Sequence, residues 1–211
     1  MLNIIKNFVS KVFQKSGAGF TFVELLISMA IVTFIMSVVL YNYGVFNDNL
    51  ALSSAGQEMV IAVRQAQTYG LNVKEVSVGG GHFSSAYGIY FYPSGEPTNY
   101  YIFADTNGNQ RYDTGTGCGS GNTECIERLT LRNGVIMSGI CDINNACPPP
   151  GGVRRMNATY LRPNPDADIR FKTNINAPSG GPQQTGKIIL TSPKGKTLIV
   201  TIENSGQVSV Q

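Results

Sequence analysis

At 211 residues the chain has room for one domain, or for one domain with an appendage. Its 16 basic and 13 acidic residues are unevenly spread. Lys6, Lys11 and Lys15 precede an apolar run that no acidic residue precedes, so the remainder is formally neutral, which excludes the charge footprint of a general nucleic-acid binder.

Residues 1–19 carry all three of those lysines, with Ile4, Ile5, Phe8, Val9, Val12 and Phe13 at helical spacing. Two readings fit: a basic interfacial helix, or a leader with only transient structure. An ordinary secretory signal is cut after its apolar core. Here the small residues Gly17-Ala18-Gly19 lie before the core, so cleavage there would leave the apolar segment on the product.

From Phe20 to Leu40 a helix would extend about 30 Å, enough to cross a hydrocarbon core. Thr21, Ser28, Thr33 and Ser37 are the neutral polar residues in this run, and Glu24 is its one charge. A lone carboxylate in such a segment costs about 2.5–3.5 kcal/mol or more at the bilayer centre, so a partner is expected. The preceding lysines orient the span with its amino end in the cytoplasm.

The segment Gly19-Phe20-Thr21-Phe22-Val23-Glu24-Leu25-Leu26 resembles the prepilin signature of type IV pilins and type II secretion pseudopilins. The resemblance implies that a prepilin peptidase cuts after Gly19 and N-methylates Phe20. It further implies that Glu24 docks the subunit against its neighbours, by pairing with the Phe20 amine of an adjacent copy. Implied partners are other pilin subunits, the peptidase, an inner-membrane assembly platform, and membrane lipid before assembly. The implied location is the inner membrane, single-pass with the head outside, and then an extracytoplasmic filament. The competing reading keeps the leader and makes the chain a membrane-anchored adhesin or receptor.

Beyond the span, Leu52, Ala55, Met59, Ala62, Val63 and Ala66 recur at three- and four-residue steps, which predicts an amphipathic helix with one stripe turned to a core. Gly70 is the expected left-handed cap. One helix over residues 20–70 is expected, with Gly44 as its weak point; a break near Tyr41-Asn42-Tyr43-Gly44 is the alternative.

Residues 71–211 read as a β-rich head. Candidate strands are Val73–Val78, Tyr87–Tyr92, Asn99–Ala104, Ile126–Leu131, Val135–Ile140, Ala167–Lys172, Lys187–Thr191, Leu198–Glu203 and Gln207–Val210. Turn signals stand at Pro93-Ser94-Gly95, Pro193-Lys194-Gly195 and Asn204-Ser205-Gly206. The fold class is therefore α+β: a long amino-terminal helix, its second half packed on an antiparallel sheet or sandwich. Segments 186–190, 195–202, 206–210 and 62–67 resemble the H-type minor pseudopilins and similar minor pilins. Certain minor pilins of this type bind DNA through basic residues near the carboxyl end. This chain ends Gln207-Val208-Ser209-Val210-Gln211 without an arginine, which argues against that role.

Four groups of residues in the head invite a chemical reading. Asp105, Asn107, Asn109, the Arg111 carbonyl and Asp113 place oxygens at alternate positions around Gly108, a pattern suited to Ca²⁺. No distal glutamate closes that loop, and an Asn-rich hairpin turn reads equally from it. No cofactor is required. Cys118, Cys125, Cys141 and Cys147 are even in number on the exported side, so two disulfides are expected, with Cys118–Cys125 and Cys141–Cys147 the first of three connectivities. Zinc is the weaker reading, since the close pairs typical of its sites are missing. His82, within Gly79-Gly80-Gly81-His82-Phe83, reads as part of an exposed loop. Arg154, Arg155, Arg162, Arg170 and Lys172, with Tyr160 and Phe171 among them, read as a solvated face. Nothing resembles a Ser/His/Asp set, so no enzyme is expected.

Overall fold

The computed structural model describes residues 19–72, 75–76, 82–83, 86–113, 118, 124–142, 155–172 and 181–211. The leader expected over residues 1–18 lies outside them, as do Arg154 and Cys147. Among the described residues a long helix, α1 (Phe22–Leu71), is followed by strands β1 (Glu75–Val76), β2 (His82–Phe83), β3 (Ala86–Phe91), β4 (Asn99–Asp105), β5 (Cys125–Thr130), β6 (Ile136–Cys141), β7 (Arg155–Leu161), β8 (Ala167–Lys172), β9 (Thr185–Thr191), β10 (Thr197–Glu203) and β11 (Val208–Val210). The chain divides into two units, residues 1–44 and 45–211.

In the first unit the described chain is the opening stretch of α1. Thr21 caps it: its Oγ1 accepts the Glu24 amide at 3.2 Å, satisfying one of the orphan donors of the first turn. Thr21 thus serves as a cap rather than bonding back to a helical carbonyl. Ser28 and Thr33 do bond back, Ser28 to the Glu24 carbonyl at 2.7 Å and Thr33 to that of Met29 at 2.8 Å. The apolar side chains here are exposed, Phe22 by 75% and Phe34 by 72%.

In the second unit α1 behaves differently. Leu52, Ala55, Met59, Ala62, Val63 and Ala66 are all buried, as their spacing predicts. They share one core with Ile89, Ile102 and Met156 of a five-stranded sheet and with Ile188, Leu190, Val200 and Ile202 of a four-stranded one. The sheets are antiparallel, ordered β5-β4-β3-β7-β8 and β11-β10-β9-β6; β1 and β2 form a separate short ladder. A buried Leu, Val or Met contributes about 1.5–3 kcal/mol, so this stripe is a main fastening of helix to sheets. Asp48, also buried, accepts the Ser192 hydroxyl at 2.7 Å, and Lys196 Nζ donates to Asn49 Oδ1 at 2.7 Å.

The β9–β10 and β10–β11 turns fall at the predicted signals. Gly195 and Gly206 both hold φ +81°, a region glycine enters without a Cβ clash. Three expectations need correction. Gly70 does not cap α1; the helix runs on to Leu71, and Gly70 lies against β7, a Cβ there falling 2.7 Å from the Tyr160 carbonyl oxygen. His82 belongs to the two-residue strand β2, paired with Val76, rather than to a loop. Strand β7, absent from the predicted set, is a central strand between β3 and β8.

Candidate functional site

Two places hold most of the residues singled out above: the start of α1 and the outer face of the five-stranded sheet. At the first, Gly19 and Phe20 precede the helix, and Phe20 is 74% exposed. Glu24 is the acidic residue of the first turn, where the helix dipole favours negative charge. The prepared end is thus an accessible peptide bond, a capped helix start and one carboxylate four residues beyond Phe20.

At the second place, Asp105 ends β4 and is buried. Its Oδ1 accepts the amides of Gly108 (2.8 Å) and Asn109 (3.1 Å), and its Oδ2 accepts that of Gln110 (2.8 Å). Asn107 and Asn109 donate their side-chain amides to Asp113 Oδ2, at 2.5 and 3.0 Å. The Arg111 amide donates to Asn109 Oδ1 at 2.8 Å. The five residues proposed as calcium ligands are therefore brought into one turn and are hydrogen-bonded to one another and to its main chain. Among the described residues no three His, Cys, Asp or Glu side chains converge as a metal site.

Sequence reasoning missed two further members of this turn. Glu124 is buried against it, accepting the Asp113 amide at 2.7 Å and the Thr106 amide and hydroxyl at 3.3 and 3.2 Å. Burial raises its pKa above the ordinary 4.5, against the lowering effect of these bonds. Tyr112 is the anchor: its amide donates to Asn157 Oδ1 at 3.0 Å, and its ring packs 5.0 Å from Tyr90, 5.4 Å from Tyr101 and 5.5 Å from Phe103. Alternating aromatics on β3 and β4 were the available signal for a second covered face. Tyr101 donates to Glu96 Oε2, and burial followed by that bond pushes its phenol up to about 12.

Cys118 and Cys125 form a disulfide with Cα atoms 5.1 Å apart, at the start of β5. Cys141, at the end of β6, is also disulfide-bonded; Cys147, the partner expected for it, is outside the described residues. The basic stretch is not one solvated face. Arg155 lies 4.2 Å over the Tyr92 ring, and Arg170 pairs with Asp168 at 2.8 Å.

Residues 15–40 match the prokaryotic N-terminal methylation motif. The chain carries a type IV pilin-like amino terminus. No curated protein and no solved structure matches the chain. The pilin-like motif supports a type IV pilin-like precursor and points to structural subunits rather than enzymes. It implies processing by a prepilin peptidase and assembly with other subunits. With the one described helix long and apolar enough to cross a membrane, it fits an inner-membrane anchored pilin.

Proposed function

We propose that the protein is a minor pilin or pseudopilin precursor, cut between Gly19 and Phe20 and methylated at Phe20. It is held in the inner membrane by residues 20–40 with its head outside. From there it is drawn into a type IV pilus or a type II secretion pseudopilus. The observation that carries this reading is the motif over residues 15–40, placed on a capped helix whose apolar side chains over residues 20–40 are exposed all round.

The mechanism turns on exchanging lipid for protein around that apolar surface. Glu24 would pair with the Phe20 amine of a neighbouring subunit. In a low-dielectric filament core a mismatched carboxylate is strongly penalised, so the pair sets register more than it adds net stability. No cofactor is needed. The 105–113 loop serves as a self-capped turn in this reading, with calcium the alternative occupant.

Mass measurement of the amino terminus of native protein tests the processing step: a methylated Phe20 is expected, and an intact Met1 would turn the reading to an uncleaved anchored binding module. Glu24→Ala is expected to insert normally in the membrane and to be missing from sheared filaments. Incorporation of that variant at the parent level would refute the register role.

A further inference from the structure

Where the two sheets of the head meet, there is a groove of about 780 Å³. Its walls come from the β7–β8 hairpin, the entry to β9 and the β10–β11 turn. Main-chain bonds tie these together: Ala167 N donates to Asn204 O at 2.7 Å, Asn204 N to Gln184 O at 2.8 Å, and Gln183 N to Ile169 O at 2.8 Å. The β10–β11 turn also packs tightly on the β7–β8 hairpin, with Pro165 O only 2.5 Å from where a Cβ on Gly206 would stand. A cleft framed this way is preformed, and its size is that of small-ligand sites.

Around the groove stand Gln110, Arg162, Asp166, Gln183, Gln184 and Asn204. Four of these are carboxamides, each able to donate and to accept. Arg162 is offset by Asp166, while Asp168 is already engaged by Arg170 at 2.8 Å. No net charge is left to select an ion, and an apolar ligand would strand the amides. Sugar hydroxyls, which also both donate and accept, match this lining.

Gln110 gives the second observation. It holds φ +58°, a left-handed conformation that residues other than Gly, Asn and Asp seldom adopt. In that conformation its amide donates to Asp105 Oδ2, and its side-chain oxygen accepts from Arg170 Nη2. One end of the carboxamide is thereby fixed, on a residue that lines the groove. Strained backbone of this kind concentrates at ligand clamps.

We propose that this groove binds a neutral saccharide, with Gln110, Gln184 and Asn204 as its hydrogen-bonding side chains. The proposal is separate from filament assembly. It is tested on the full-length protein in dodecylphosphocholine micelles, a detergent without a sugar headgroup. Maltotetraose, cellotetraose and chitotetraose are titrated and followed by saturation-transfer NMR. At least one is expected to bind saturably, and Gln184→Ala with Asn204→Ala to weaken it about tenfold or more. Gln110→Gly separates binding from folding. Glycine takes the same φ without strain, which offsets the lost Arg170 bond, so the melting temperature stays within about 2 °C while affinity falls several-fold. Gln65→Ala, outside the groove, leaves binding unchanged. Three results would each overturn the proposal: no saturable signal at roughly 10 mM, above the weak millimolar range of such sites; unchanged affinity in Gln110→Gly; or tighter binding of sulfated than of neutral tetraose.

Discussion

Two glycines inside α1 should respond differently to alanine. At either position alanine gains at most about 1 kcal/mol of helix propensity. At Gly56 the new Cβ would meet Leu198 Cδ2 at 2.8 Å and Val210 Cγ1 at 3.4 Å, the far ends of side chains that can rotate. At Gly70 it would meet the Tyr160 carbonyl oxygen and Cβ, both at 2.7 Å, on a strand hydrogen-bonded on both sides. Overpacking against a fixed backbone costs about 1–3 kcal/mol; its upper end less the propensity gain leaves a net loss of about 2 kcal/mol. For a chain of this size that lowers the melting temperature by roughly 4–8 °C. The assay is thermal unfolding of the full-length protein in micelles, followed by near-UV circular dichroism of its tyrosines. Gly56→Ala is expected to melt within about 2 °C of the parent. Gly70→Ala melting at or above the parent would refute the close approach of helix and β7.

The remaining predictions concern the outer face of the five-stranded sheet. Cys118→Ser opens a bridge between residues seven apart, worth about 2–3 kcal/mol by loop closure, and should lower the urea midpoint accordingly; an unchanged midpoint contradicts it. Because burial raises Glu124 above 4.5, the folded chain holds that proton more tightly than the unfolded one. Its contribution is therefore full below pH 4.5 and declines as pH rises through the folded value. Glu124→Gln should flatten that decline in urea midpoints taken from pH 4.5 to 7, and a slope identical to the parent's would sink the assignment. Chelation followed by millimolar CaCl₂ should move the melting temperature by less than about 1 °C, since the loop's carboxylates are already engaged by amides. A rise of several degrees would instead place calcium in the loop.

The helix stripe was legible because one face of residues 51–66 meets a core and the other does not, and that asymmetry writes a 3.6-residue period. Strand β7 was illegible for the opposite reason. Met156, Ala158 and Tyr160 enter the main core, while Asn157 and Thr159 are buried on the other side, so apolar and polar residues are covered alike and no solvent face marks the strand. Gly70 was misread because a helix-ending glycine and a close-contact glycine look the same in sequence. The 105–113 loop announced its oxygens but not what they bind. Whether Asp105 takes a cation or three backbone amides depends on loop geometry, and Tyr112 sets that geometry through partners on β3 and β4. Gln110 gives no sign in sequence of its left-handed backbone, because glutamine is not a residue that such positions favour.

The shared core around Met59 and Val63 fixes where the protein may be cut. A fragment starting at residue 71, where the β pattern begins, would leave both sheets without their common wall and expose Ile89, Met156, Ile188 and Val200 to water. Anyone preparing a soluble version for crystallisation or ligand screening should start near Val45, after the greasy anchor but before Asp48 meets Ser192.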